Sequence, residues 1–227
     1  MISFKGNHYP EDEILFAVYF YVRYTVSYRD LEEIMAERGV SVDHSTLNRW
    51  VVKFSPLVAI EAQMRKASTK RSWRMDETYV RVRGKWAYLY RAVDKSGKTL
   101  EFMLSERRNE AAATLFFGKA LSSNGLPEKI VIDKSNTNRS GIKNTNKILA
   151  RFGCPIQIEI IRSKYLNNIV EQDHRFIKKR IRPMGGFKSF KSAAGTLDGI
   201  EVAQMIRKNQ FCKAGKSGFH QFAELVG

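Results

Sequence analysis

The chain has 227 residues, 43% hydrophobic and 11% aromatic, which indicates a folded protein with room for about one or two domains. Its 39 basic and 23 acidic residues give a net charge of +16, which favours nucleic acid as partner, although a ribosomal or membrane-surface protein would carry similar charge. The longest apolar run, Ile14–Val22, falls short of the roughly 20 residues that span a bilayer. With no secretion signal ahead of it, we expect a cytoplasmic protein in which Cys154 and Cys212 are free thiols.

The charge is uneven along the chain. Residues 1–68 contain eight basic and nine acidic residues, whereas residues 69–227 contain 31 basic and 14 acidic ones. A basic stretch with interspersed Ser and Thr, residues 65–74, lies at the junction. We therefore predict two domains, a near-neutral helical region at 1–68 and a strongly basic domain at 69–227.

Residues 1–68 are predicted to be helical. The first predicted helix starts at Pro10 with the three acids after it and continues through the apolar stretch Ile14–Tyr24. Ser27 and Asp43 are predicted to cap the next two, Tyr28–Glu37 and His44–Phe54, and Pro56 to end the third.

The second and third of these helices, joined through Gly39, match a helix-turn-helix. In that arrangement His44, Asn48 and Arg49 lie on the exposed side of the second helix and contact DNA. A helical hairpin that only packs against the rest of the chain fits the pattern equally well.

In the second region the pattern changes from that of helices to that of strands, with short runs of Val, Tyr, Thr and aromatic residues between turns. The predicted order is three strands (Trp73–Arg83, Lys85–Asp94, Lys98–Ser105), a helix capped by Asn109, a strand (Lys129–Ile132), a helix (Asn144–Phe152), a strand (Ile156–Ile161) and two helices (Asn168–Ile181, Ser192–Phe211). Hairpin-linked strands followed by alternating units predict an α/β domain with a mixed sheet and flanking helices.

Two aspartates occupy strand positions where a metal site is commonly built. Strand alternation puts Asp76 on the face of Thr78, Val80 and Val82, and Glu77 on the opposite face. A carboxylate among such buried-type positions is costly unless it is paired or binds a cation. Asp133 directly follows a short apolar strand, at the end where open α/β sheets place their ligands. A solvent-facing edge acid and an ordinary Asp turn are the competing interpretations.

Glu171 begins a basic face on the late helix. It shares that face with His174, Arg175, Lys178 and Arg182, and no acid occurs between Arg175 and Lys191. Such a face suits contact with DNA phosphates next to a metal site, although for an isolated helix a solvated amphipathic face with local ion pairs is the better interpretation.

Several long blocks resemble the bacterial insertion-sequence transposases of family six. The first catalytic block is similar to Trp73–Val80, Gly84–Trp86 and Tyr88–Asp94; the second to Asp133-Lys134; the third to Lys164–Asn168, Glu171, Asp173, His174, Arg182-Pro183 and Gly186–Lys188; and the opening to Phe4–Gly6, Ser27–Glu32 and Val42–His44.

The resemblance implies an RNase H-like mixed five-stranded sheet with the catalytic and metal-binding carboxylates Asp76, Asp133 and Glu171, which hold Mg²⁺ or Mn²⁺. It also implies Arg175 and Lys178 as supporting basic residues, recognition of terminal inverted repeats, and transposition through cointegrates. Together with Lys134 and Arg182, these side chains are expected to bind DNA.

The 37 residues between Asp133 and Glu171 slightly exceed the spacing usual for this family, and we expect the surplus to loop out within Ser135–Lys147. The predicted function is a DDE transposase, at least dimeric, that acts on double-stranded DNA and associates with the bacterial nucleoid. The alternatives are a non-catalytic DNA-binding protein or repressor that keeps the sheet as a scaffold, and an RNase H-like nuclease that cuts without joining.

Overall fold

The computed structural model describes residues 2–163, 165–211 and 215–227, so the predicted thiol at Cys212 lies outside the described residues. The chain forms two compact units: Ser68–Arg175, and Met1–Ala67 together with Phe176–Gly227. This grouping places the C-terminal helices with the N-terminal ones. The assignment of DNA-binding and catalytic roles to 1–68 and 69–227 stays a prediction.

The first unit contains a five-stranded mixed sheet. Its strands are β1 (Ser72–Val82), β2 (Lys85–Asp94), β3 (Thr99–Ser105), β4 (Lys129–Ile132) and β5 (Glu159–Arg162), in the spatial order β3-β2-β1-β4-β5. β1 to β3 form an antiparallel meander, and β4 and β5 run parallel to β1. Positive φ angles at Arg83 and Gly84 place a tight turn between β1 and β2.

One face of this sheet is covered by α4 (Glu110–Asn124) and α5 (Asn136–Arg151). Phe116 and Phe117 of α4 pack with Trp73, Met75 and other strand residues to form the core. A short 3₁₀ turn at Tyr165–Asn167 leads into α6 (Asn168–Ile181), whose beginning belongs to this unit. The strand order and flanking helices are the RNase H-like arrangement that we expected, and the predicted fold class is confirmed.

The second unit is helical. It contains α1 (Glu11–Arg23), α2 (Tyr28–Glu37), α3 (His44–Arg65), α7 (Phe190–Arg207) and α8 (Gly218–Ala223). As predicted, Ser27 caps α2, and it does so in a capping box with Asp30. Asp43 caps α3 by accepting hydrogen bonds from the backbone of Ser45 and Thr46.

The prediction that Pro56 ends the third helix is wrong, because α3 continues through it to Arg65. Proline at this position removes the hydrogen bond to the carbonyl of Val52. Helix α7 packs closely here, since a Cβ added to Gly195 would lie 3.0 Å from that carbonyl oxygen. Tertiary packing against α7 therefore holds α3 together where local sequence rules favour a break.

The predicted loop within Ser135–Lys147 is also wrong, since α5 runs through it from Asn136. The buried side of this helix consists largely of small or polar residues, Asn138, Gly141, Ile142 and Thr145. A Cβ added to Gly141 would lie 2.6 Å from the Cβ of Ala113 on α4. The helix therefore packs through close backbone approach, which a search for large apolar residues misses.

Smaller differences concern where elements begin and end. Strand β5 starts at Glu159, later than predicted, because Asn146 of α5 bonds both the N–H and the carbonyl of Ile158, at 3.0 and 3.1 Å. That side chain takes the place of a strand partner. The last predicted helix starts two residues earlier, at Phe190, and ends at Arg207, and α8 was not predicted.

Candidate active site

The site is built around two neighbouring parallel strands. Arg74 of β1 lies opposite Val131 of β4, and continuing this register by two residues on each strand brings Asp76 beside Asp133. Both carboxylates then lie on the same face of the sheet, because side chains alternate with a period of two. Asp133 is partly buried, and its side chain accepts a hydrogen bond of 2.9 Å from the backbone N–H of Ser135.

Asp76 is in an electrostatically unfavourable position. Burial raises the pKa of its carboxyl to about 7, and the negative charges of Glu77, Asp133 and Glu171 raise this pKa further, against a hydrogen bond from the Glu77 backbone that lowers it. Its side chain is 17% exposed. Of the three carboxylates predicted to form the site, Asp133 and Glu171 are therefore close enough to Asp76 for their charges to raise its pKa.

Helix α6 contributes Glu171 and two buried side chains. Glu171 is exposed in the first turn, whereas Asp173 and His174 are buried. Nδ1 of His174 lies 3.7 Å from Oδ2 of Asp76. His174 is therefore not a surface residue, and its imidazole adjoins the carboxylate of Asp76.

A buried ion pair joins the same helix to the sheet. Arg91 of β2 is directly opposite Asp76 in the strand register, and it is fully buried. Its guanidinium donates a 2.7 Å hydrogen bond to Oδ2 of Asp173. This pair fixes the first turns of α6, and thus Glu171, relative to Asp76. Arg91 was not singled out in the sequence, although a charged residue within an otherwise apolar strand is a usable signal.

Glu77 forms a second polar network, on the opposite face of β1. Its buried carboxylate accepts a 2.8 Å hydrogen bond from Nδ2 of Asn138 in the first turn of α5, and it also pairs with Arg108. Asn138 follows Asp133 closely in the chain, so Glu77 ties the segment after Asp133 to the strand that carries Asp76. Nothing in the sequence pattern identifies Asn138 as part of this network.

The carboxylates are near one another but not gathered into a closed cluster. Across the described ranges, no group of three or more His, Cys, Asp and Glu side chains forms an arrangement that could hold a metal ion. The chemistry of the donor set nevertheless fits a divalent cation, because Mg²⁺ prefers carboxylate oxygens and would relieve the repulsion around Asp76. Glu171, which is exposed, is the member with most freedom to turn inward.

The predicted DNA-contacting residues of the basic face are accessible to different extents. Lys134, Arg175 and Arg182 are exposed, and Lys178 is half-buried. Arg175 belongs to the same unit as Glu171, whereas Lys178 and Arg182 belong to the helical unit.

In the proposed helix-turn-helix, all three predicted DNA-contacting residues have partners within the helical unit. Nδ1 of His44 lies 3.0 Å from a carboxylate oxygen of Glu32, and the side chain of Asn48 bonds the hydroxyl of Tyr28. Arg49 is exposed and donates to Thr46.

The sequence is similar to those of known transposases. A family model described as a DDE domain, DDE_Tnp_IS240, matches residues 70–210. The transposase for insertion sequence-like element IS431mec of Staphylococcus aureus is 38% identical over 211 residues, which cover 92% of this chain and 91% of that protein. The transposase for insertion sequence element IS257 in transposon Tn4003, also of Staphylococcus aureus, is 36% identical with the same coverage.

These matches define a DDE transposase. The chain belongs to the insertion-sequence family six of these enzymes, and the family predicted from its sequence blocks is confirmed.

Among solved structures, the HTLV-2 integrase catalytic core domain in complex with magnesium, in its trimeric form, aligns with 69% of this chain and 98% of its own at 15% identity and a TM-score of 0.47. The catalytic core domain of BIV integrase aligns with 68% and 95%, at 16% identity and a TM-score of 0.45. Both are distant likenesses. In the part of the chain that the structure describes, no helix is long and apolar enough to cross a membrane.

Proposed function

We propose that this transposase nicks DNA at the terminal inverted repeats of its element and joins the freed 3′-OH to target DNA, producing a cointegrate. The proposal is supported by the β1–β4 register, which ends at Arg74 and Val131 and, extended by two residues, puts Asp76 beside Asp133 on one sheet face, and by the charge of Glu171, which acts on the carboxyl of Asp76. Membership of the DDE transposases supports the same reaction class.

In this proposal Asp76, Asp133 and Glu171 bind Mg²⁺ or Mn²⁺. When bound there, divalent cations activate the attacking oxygen and stabilise the charge that develops on the leaving oxygen. Asp76 supplies the fixed ligand, because its strand is central in the sheet. Glu171 completes the set by turning inward from the exposed side of α6.

The neighbouring residues have supporting roles. The buried pair of Arg91 and Asp173 positions α6, and His174 interacts with the carboxylate of Asp76. Arg175 and Lys134 contact the phosphates on either side of the reacting group, and Lys178 and Arg182 bind DNA further along α6. The helix-turn-helix reads sequence through Arg49, with His44 and Asn48 exchanging their present partners for DNA.

The protein is proposed to act as a dimer or higher oligomer, because one reaction must hold two element ends. Its substrate is double-stranded DNA, and its proposed location is the cytoplasm, at the nucleoid.

The test is a strand-transfer assay with an end-bearing duplex in Mg²⁺, comparing the variants Asp76→Asn, Asp133→Asn and Glu171→Gln. Each is expected to lose joining by at least about 100-fold, the effect typical of removing a group that stabilises the transition state. Glu159→Gln, an exposed strand carboxylate of the same unit, is the matched control and is expected to keep wild-type joining. If a variant of the three joins DNA at nearly the wild-type rate, that residue is not a ligand.

The same assay separates the two alternative functions. A repressor that only binds DNA would show no metal-dependent cleavage of the end-bearing duplex. An RNase H-like nuclease would release cut ends without joining them to target DNA. Nicked and joined products, separated on a denaturing gel, distinguish the three.

A further inference from the structure

The hairpin of β1 and β2 carries a row of aromatic side chains from the core into solvent. Tyr90, at the inner end, is fully buried and packs against Phe116 of α4 at a centroid distance of 5.7 Å. Tyr88 and Trp86 follow on the same face of β2, and Trp86 is 60% exposed. The row continues beyond the helices that cover its inner end.

A further tyrosine on the neighbouring strand completes the exposed group. Tyr79 of β1 pairs with Tyr88 across the strands, with ring centroids 5.5 Å apart, and lies 5.9 Å from the ring of Trp86 in an edge-on arrangement. Tyr79 is 46% exposed. We call Tyr79, Trp86 and Tyr88 the hairpin aromatics. Large rings exposed in contact with one another are unusual on a protein surface and mark a binding site.

The surroundings of the hairpin aromatics are basic. Arg81 lies opposite Trp86, Arg83 and Lys85 flank the turn, and Arg108 donates a hydrogen bond to the hydroxyl of Tyr79. No Asp or Glu occurs in the sequence from Thr78 to Val93. Aromatic rings among arginines and lysines match a ligand with flat apolar faces and negative charges, which describes a nucleic acid strand.

We infer that the hairpin aromatics form a stacking platform for unpaired nucleotides of a DNA strand. This inference rests on the proposed DNA processing. Rings stack on bases only where the bases are not paired in a duplex, so the ligand is a single strand or a frayed end. A second copy of this chain fits less well, because a symmetric contact would place Arg81, Arg83 and Lys85 against their own copies.

The platform lies on the opposite face of β1 from Asp76. Side chains alternate along an extended strand, so Tyr79 shares the face of Glu77, on which α4 packs, whereas Asp76 lies on the face of α6. The platform is therefore a DNA contact separate from the one at the reacting phosphodiester.

The test uses the tryptophan itself as the probe. The other two tryptophans of the chain, Trp50 and Trp73, are 3% and 2% exposed, so a base that stacks on the surface quenches the emission of Trp86 alone. The full chain is titrated with single-stranded oligothymidylate in EDTA. We expect quenching that saturates, and that is absent from Trp86→Phe.

Affinity is measured separately by the anisotropy of a labelled oligothymidylate. Trp86→Ala is expected to weaken binding about 5- to 150-fold, the range for one stacked base, whereas Trp86→Phe keeps most of the affinity. A blunt duplex should lose much less affinity than the single strand. Phe152→Ala is the matched control, because Phe152 is 86% exposed but lies at the end of α5 away from the hairpin strands.

Several results would overturn the inference. The first is unchanged Trp86 emission at saturating oligonucleotide, and the second is wild-type affinity of a folded Trp86→Ala variant. The third is an equal loss of affinity for single strand and for duplex in Trp86→Ala. A change of oligomeric mass in Trp86→Ala without a change in affinity would assign the platform to contact between copies instead. The titration contains no metal and no element end, so it measures binding without strand transfer. Failure of the strand-transfer proposal would appear in the joining assay, and failure of this inference would appear in the Trp86 titration.

Discussion

The carboxyl of Asp76 predicts a pH-dependent cost to the stability of the metal-free protein. Its pKa rises from an ordinary value of 3.8 to about 7 in the folded chain. Below about pH 4 the group is protonated in both folded and unfolded chains and contributes nothing. Between the two pKa values the unfolded chain releases the proton while the folded chain keeps it, so stability falls as pH rises, and the loss is complete above pH 7.

The size of this cost follows from the shift of about three pH units. At about 1.36 kcal/mol per unit, the upper limit is on the order of 4 kcal/mol. Asp76→Asn removes the ionisable group while keeping the shape of the side chain. The variant should therefore match the wild type near pH 4 and exceed its unfolding free energy by about 2–4 kcal/mol at pH 8, which raises Tm by roughly 5–15 °C.

The measurement is thermal and denaturant unfolding of both proteins in EDTA at intervals from pH 4 to 8. Added Mg²⁺ should stabilise the wild type at pH 8 and have little effect on Asp76→Asn. Glu159→Gln is the control, and its difference from the wild type should not change with pH. A variant no more stable than the wild type at pH 8, or a difference that is constant across this range, would refute the electrostatic account of Asp76.

Three further predictions concern packing, the buried pair and the basic face. A Cβ on Gly199 would lie 2.6 Å from both Ser55 Oγ and a methyl of Val22, so Gly199→Ala should lower the unfolding free energy by about 1–3 kcal/mol. The control is Gly118→Ala, at an exposed helix position with open space, which should not lower it. Equal losses of unfolding free energy for the two variants in denaturant unfolding would contradict this account of packing. Arg91→Met leaves Asp173 buried without its guanidinium partner and should lower the unfolding free energy by about 3–5 kcal/mol in the same assay. The double variant with Asp173→Asn should recover part of this loss, and a loss equal to the sum of the two single-variant losses would contradict the pairing. Arg175→Ala should reduce the slope of log affinity against log salt by about one for duplex DNA, and an unchanged slope would show that Arg175 does not contact phosphate.

Local sequence signals predicted much of the fold. Ser27 with Asp30 marks the start of α2, and the short apolar run Lys129–Ile132 forms β4 with the predicted bounds. Helix α6 also has the predicted bounds, Asn168–Ile181, because its apolar side and basic side repeat with helical period. In each case neighbouring residues in the chain determine where the helix or strand begins or ends, so a single sequence is sufficient to predict it.

The errors occur where distant parts of the chain decide. Pro56 lies inside α3 because α7 supports the helix at Val52, a contact with residues more than 100 positions away. Helix α5 is buried through Gly141 and polar residues, so its core-facing side carries little hydrophobic signal. Helices α3 and α5 are stable because α7 and α4 pack against them, and this packing cannot be predicted from the residues of α3 and α5 alone.

The site was predicted in outline but not in its supporting contacts. Strand alternation correctly puts Glu77 on the face opposite Asp76, and the order of the three acids comes from the family resemblance. What chain order cannot reveal is that Asn138 bonds Glu77, or that His174 is buried beside Asp76. These are contacts between elements, and the spacing along the chain carries no information about them.

Helix α5 also changes the meaning of the spacing between Asp133 and Glu171. Its first turn is tied to β1 through Asn138, whereas its last residue, Arg151, is followed by Phe152, which is 86% exposed. The two ends are about 22 Å apart at the usual rise per helical residue. A turn gained or lost at the solvent end would alter the residue count between the two acids while leaving their positions in space unchanged. An unusual number of residues between the two acids is therefore compatible with an intact catalytic geometry.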